Sequence, residues 1–227
     1  MTAEWLMREA RQFYPSLSKF PPQKDVPVII SPGQENRADF KLPFQETPEF
    51  QRWHDAWTRA VKETEPWRVL LNGLRPRFPD LQFGSYTPAY MSGGYACILY
   101  LRRPQTNGRE GFRFIRVAAA ISLLAPLYFV YGTIQVATPI PPEERTPWKR
   151  HDPHERFSAP ELFLQPTEEM QPYADMLARH VEQAFDHRPF PLELADVPVP
   201  DIRVPYLNGE QATLMNAFFL RDITGLI

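Results

Sequence analysis

Eight arginines and no lysine lie between Arg68 and Arg116: Arg68, Arg75, Arg77, Arg102, Arg103, Arg109, Arg113 and Arg116, faced in that interval only by Asp80 and Glu110. A guanidinium is a planar fork of N–H donors, suited to the two oxygens of a carboxylate or phosphate. Converging in one concavity, Arg75, Arg77, Arg102, Arg103, Arg113 and Arg116 would hold a small anionic ligand, in an enzyme or in a carrier. Set along strand ends and edges, they would keep an aromatic sheet soluble and pair with acids elsewhere in the chain, which is the reading the sequence favours.

The other chemistry-bearing groups are weaker. His151, Asp152, His154 and Glu155 offer four potential metal ligands in five residues, a donor set that suits zinc or iron. Pro153 lies inside the cluster and the spacing His-Glu-x-x-His is absent, so a solvated charged loop is expected and no metal. The pair His54-Asp55 falls on a helix and resembles that of HD-type phosphohydrolases, but no histidine precedes it to complete such a site. Cys97 sits mid-strand among Tyr95, Leu99 and Leu101, where burial raises a thiol rather than activating it. The serines near glycines, Ser85 and Ser92, do not form a Gly-x-Ser-x-Gly elbow. His180 falls on the apolar stripe of a helix with Leu177 and Ala184 and reads as a hydrogen-bonded core histidine, with His187 seven residues on. No glycine-rich phosphate loop is present, and no cofactor is expected.

The stretch Gly111, Phe112, Arg113, Phe114, Ile115, Arg116, Val117 resembles in part the strand of RNA-recognition modules, in which a glycine is followed by alternating base-stacking aromatics. It departs from that motif at Glu110, Arg113 and Val117, and the next predicted element is a strand where a helix is required. A buried strand explains the alternation, and nucleic-acid binding is not expected on this pattern.

These residues need elements to hold them. The chain of 227 residues is 43% hydrophobic and 13% aromatic, enough for a substantial core, with 26 prolines against ten glycines. Its lone cysteine excludes an internal disulfide and points to a reducing, cytoplasmic setting. A net charge of -2 gives no overall pull toward nucleic acid. The charge is nonetheless polarised: residues 157–227 hold 4 basic and 11 acidic groups.

Helices are predicted near 3–14, 48–74, 172–186 and 210–220. The first carries Leu6, Ala10, Phe13 and Leu17 at helical spacing. The second opens on Thr47 as N-cap with Pro48 at the first helical position, buries Phe50, Trp53, Trp57, Ala60 and Val61, and restarts at Pro66. The third carries Tyr173, Met176, Leu177, Val181, Ala184 and Phe185 on one stripe. The fourth is apolar almost all round, so it is either buried in the fold or docked on something else. Residues 81–137 read as an antiparallel meander of four or five strands, and Val26 to Ile30 as a further short strand. The uncharged run from Val117 to Pro142 is long enough for a membrane span, but Pro126 and Gly132 interrupt it, and two strands turning near Ala125 and Pro126 fit better. Residues 138–166 carry seven prolines in 29 positions and are expected to form a long surface connection.

The expected fold is therefore α+β: a central antiparallel β-meander flanked by amphipathic helices, with long Pro-rich connections. It is read as a single domain over 1–227, made of an N-terminal helix and arm (1–45), a helix and sheet core (46–137), a Pro-rich connection (138–171) and an acidic C-terminal helical part (172–227). The expected function is a noncatalytic cytoplasmic protein-protein interaction module, of which a bacterial immunity or adaptor protein is one concrete form. Trp148 and Phe157 would anchor a partner, and Glu161, Glu168, Glu169, Asp175, Glu182 and Asp186 would steer one that is basic. The rival reading is the enzyme or carrier that binds a small anion through the arginines.

Overall fold

The computed structural model describes residues 1–18, 43–78, 93–104, 111–141, 144, 155–204, 207 and 211–219. Within them the fold is α+β, a six-stranded, mostly antiparallel sheet with helices on both faces. Strands β1 (Gly94–Pro104), β2 (Phe112–Ser122) and β3 (Leu127–Pro139) pair antiparallel in chain order. The uncharged run from Val117 is thus divided between β2 and β3, turning at residues 123–126. Among the described residues no helix is long and apolar enough to cross a membrane.

Along the other edge of β3 lie three short strands, β4 (Glu155–Phe157) and β5 (Glu161–Phe163) antiparallel and β6 (Arg188–Pro189) parallel. This corrects the expectation for residues 138–166: two of the six strands fall inside the Pro-rich stretch. Strands of three residues have no stability of their own and form here because the edge of β3 supplies their hydrogen-bond partners. The expected strands at 26–30 and 81–87 lie outside the described residues.

Alternation along each strand gives the sheet two faces. On the first, Ala96, Ala120 and Phe129 share a row across β1, β2 and β3, and Ile98, Ala118 and Tyr131 share the next. Helices α1 (Ala3–Ala10) and α2 (Pro48–Lys62), the short helix α5 (Leu214–Phe218) and Phe219 join them in one core. On the second face Cys97, Leu99, Ile115, Val117, Ala119, Ile121 and Tyr128 pack with α3 (Glu65–Leu74) and α4 (Gln171–Phe185). Each strand of the central three is apolar on both sides for this reason.

The helices end where their sequences require. Pro66 has no N–H to give the carbonyl of residue 62, so the predicted 48–74 helix breaks at Glu63 and Thr64 into α2 and α3. Helix α1 stops at Ala10, short of the predicted residue 14, because Pro15 disfavours a helical Tyr14. That tyrosine instead buries its ring and donates its hydroxyl to the carbonyl of Ala217 at 2.8 Å. At the C-terminal end Thr213 and Asn216 form a reciprocal cap on α5. Its side chains Leu214, Met215, Ala217 and Phe218 are buried in the fold, and Phe219 meets Phe129 edge-on at 4.7 Å between ring centres. Helix α4 ends on Asp186, whose φ of 55° is the left-handed turn that stops a helix.

Helix α4 approaches both of its neighbours through a missing side chain. A Cβ on Gly132 of β3 would fall on the sulfur of Met170, at the foot of α4, and one on Gly73 of α3 would fall on the imidazole of His180. Glycine at both positions allows the close seating.

Candidate functional site

Among the arginines whose side chains are described, the anion candidates are divided between separate places. Arg75 and Arg77 are exposed just past the end of α3. Arg102 and Arg103 are placed by backbone register alone, opposite Phe114 and Arg113 on β2. Arg113 lies 3.4 Å from the Glu169 carboxylate, and Arg116, three residues on, belongs to the other face of the sheet.

The described groups that could do chemistry have structural partners of their own. Cys97 belongs to the second face, 1% exposed, and burial pushes its thiol up to about 12. The Nδ1–H of His180 donates to the carbonyl of Met176 one turn back at 2.8 Å, and the ring fills the space over Gly73. His187 lies 2.7 Å from the Phe185 carbonyl through Nδ1 and 3.2 Å from the Ser122 carbonyl through Nε2. His54 lies between Phe50 and Trp57 on α2, at ring distances of 6.3 and 6.2 Å. Trp148, His151, Asp152 and His154 lie outside the described residues. Among the described residues no three His, Cys, Asp or Glu side chains are grouped so as to hold a metal ion.

The acidic set divides between the two ends of α4. Glu168 and Glu169 precede it, exposed, and Asp175 accepts from Gln171 at 2.7 Å. Glu182, near the other end, accepts the Tyr128 hydroxyl at 2.6 Å, and Asp186 closes the helix. With 15 residues the helix is roughly 22 Å long, which separates Glu168 and Glu169 from Asp186. Only the first group shares an end of the molecule with Phe157 and Glu161, which β4 and β5 carry opposite Ala137 and Ile134.

At that end the first face of the sheet continues past the rows that join the core with α1, α2 and α5 among the described residues. The row after Ile98, Ala118 and Tyr131 is Tyr100, Arg116, Thr133 and Leu162, and the next contains Arg102, Phe114 and Gln135. Tyr100 is 38% exposed and Phe157 48%, and the rings of Phe157 and Phe114 stand 5.8 Å apart. Met1, Val69, Tyr100 and Phe157 are the exposed large apolar side chains of the described residues, and the last two lie on this one surface.

Arg116 sits in the middle of it. Its Nη2 donates to the Gln135 side-chain oxygen at 2.9 Å, and Cζ lies 5.6 Å from the centre of the Tyr100 ring, a cation-π distance. Nε and Nη1 are buried and find no acceptor, and neither does the hydroxyl of Thr133, the residue directly across from Arg116 on β3 and 2% exposed. Desolvation pulls the guanidinium below its ordinary value, with the adjacent Tyr100 acting in the other direction, and the side chain remains a cation at neutral pH.

Arg116 and Phe157 were visible in the sequence as candidates. Tyr100, Phe114, Thr133 and Gln135 were not singled out as site residues, since only the strand register unites them. Comparison with family models, with curated proteins and with solved structures finds no match to this chain.

Proposed function

We propose that the protein is a noncatalytic cytoplasmic interaction module that binds a partner protein through the open end of its sheet. A bacterial immunity or adaptor protein is the concrete form that this reading takes. The observation that carries it is the gathering of exposed Tyr100 and Phe157, with Phe114 and Arg116 between them, on one face of a rigid sheet. Tyrosine and arginine are the residue types that dominate interface energetics, and a large exposed ring costs little entropy to immobilise. The excess of acidic groups over residues 157–227, 11 against 4 basic and with Glu161 and Glu168 among them, favours a partner with basic groups.

The test is capture of partners from extract of the source cells, comparing the wild-type chain with a Tyr100→Ala/Phe157→Ala variant. Both side chains are exposed, so the variant keeps the wild-type circular dichroism spectrum. The reading expects a stoichiometric protein held by the wild type and released by the variant, with an association rate that falls as salt rises. Equal retention by both chains, or retention by neither, would overturn it.

A further inference from the structure

The buried donors at Arg116 point to a second, smaller ligand. A guanidinium carries five N–H bonds, and three of them, one on Nε and two on Nη1, belong to buried nitrogens that find no acceptor among the described residues. Gln135 occupies one hydrogen of Nη2. Whichever of the two it takes, one complete edge of the fork remains, either Nε with Nη2 or Nη1 with Nη2. An edge of that kind matches the spacing of two oxygens on a single carbon or phosphorus.

Arg116 also lacks a counter-charge. No carboxylate of the described residues pairs with it, whereas Arg113, three residues earlier on the same strand, has Glu169. A partly desolvated guanidinium without a carboxylate partner is disfavoured. Natural proteins rarely carry such a cost without an occupant that repays it. Thr133 adds a separate observation: its hydroxyl, on a residue 2% exposed and directly across from Arg116, is also without a partner. Two residues paired directly across β2 and β3, on one face of the sheet, thus each carry an unserved buried donor.

We propose that Arg116 and Thr133 form a binding site for a small oxyanion, the guanidinium edge taking two oxygens and the threonine hydroxyl donating to one of them. Gln135 fixes the guanidinium by its bond to Nη2, and Tyr100 covers the cation with its ring. Phosphate and carboxylate share this chemistry. The site shares Arg116 and Tyr100 with the partner surface proposed above, but its donors are the buried nitrogens of Arg116 and the hydroxyl of Thr133, which the Tyr100→Ala/Phe157→Ala comparison leaves in place.

The experiment is a titration of the purified full-length chain with inorganic phosphate and, separately, with acetate, at ionic strength held constant with sodium chloride. Thermal unfolding and calorimetry read the result for wild type, Thr133→Val and Arg116→Met. A saturable rise in the wild-type unfolding midpoint with one of the two anions is expected, and which anion gives it identifies the ligand class. Thr133→Val is expected to weaken binding by about tenfold, the loss of one hydrogen bond to a charged group, and Arg116→Met to abolish it. Arg116→Met should leave the midpoint without anion unchanged or higher, since it removes an unpaired buried charge. An arginine that only held the sheet together would instead lower it. No saturable response in wild type to either anion would overturn the proposal and assign the buried donors to water. An equal response in wild type and Thr133→Val would overturn it too, placing the anion elsewhere.

Discussion

The imidazole of His180 lies where a side chain on Gly73 would have to go. Alanine is favoured over glycine inside a helix by about 1 kcal/mol, yet overpacking a filled contact costs about 1 to 3. Gly73→Ala is therefore expected to destabilise the wild-type chain by up to about 2 kcal/mol and, on a His180→Ala background, to stabilise by about 1. Urea unfolding of the four proteins measures the coupling, and a coupling of zero would show that the ring and the glycine do not meet. Cys97 was legible as a core residue and His180 as a hydrogen-bonded one, half-buried in the structure, because each interrupts an apolar stripe whose period is plain in the sequence. The Arg116 and Thr133 pair was not. Those residues stand 17 apart, and which of the intervening positions turn and which pair is fixed by the β2–β3 register, where a slip of one residue would send Thr133 to the opposite face. For the same reason Glu182 read as a free surface acid, although Tyr128, 54 residues earlier, donates to it.

Two threonines precede the two halves of the broken helix, and they differ in what they do. Thr47, 8% exposed, accepts the N–H of Phe50 at 3.1 Å, while Thr64 makes no side-chain cap bond to α3. Thr47→Ala should cost about 1 kcal/mol and Thr64→Ala no more than a few tenths, which thermal unfolding would separate. Equal costs would show that the Thr47 cap contributes nothing. Helices α2, α3 and α4 were legible because start signals, stripes and prolines all act within a few residues. Strands β4 and β5 were not, since prolines and charges give them no period and their pairing energy comes wholly from β3. Helix α5 was legible as an apolar helix near 210–220 but not in its place, which depends on the rings of Phe129 and Phe190 that meet Phe219.

At the scale of the whole molecule, the α+β class follows from one fact visible in the composition of β1, β2 and β3: strands apolar on both faces require cover on both. The two layers of cover make the interior dry on each side, and the side chains that pay most for ionising there are Cys97 and Tyr128. An unfolded thiol ionises near 9.0, whereas burial holds Cys97 up to about 12. Burial, followed by the hydrogen bond to Glu182, raises Tyr128 from its ordinary 10.0. A raised folded-state pKa means that the unfolded chain loses its proton first. The contribution of Cys97 to stability is thus complete below about pH 9 and declines from there to about pH 12, with a slope of up to roughly 1.4 kcal/mol per pH unit. Tyr128 adds to the decline above about pH 10. Urea midpoints followed from about pH 7 to about pH 11 should then fall steeply on the alkaline side. Cys97→Ala should lower stability at neutral pH by about 1 kcal/mol through the small void it leaves, and flatten the first part of that decline. Tyr128→Phe, which has no hydroxyl to ionise, should flatten the later part. The two effects are separable by pH because the thiol and the phenol ionise about 1 to 2 units apart in the unfolded chain. An alkaline slope unchanged in Cys97→Ala would mean that the thiol reaches water in the folded state, and that the second face of the sheet is less completely covered than the packing of α3 and α4 requires.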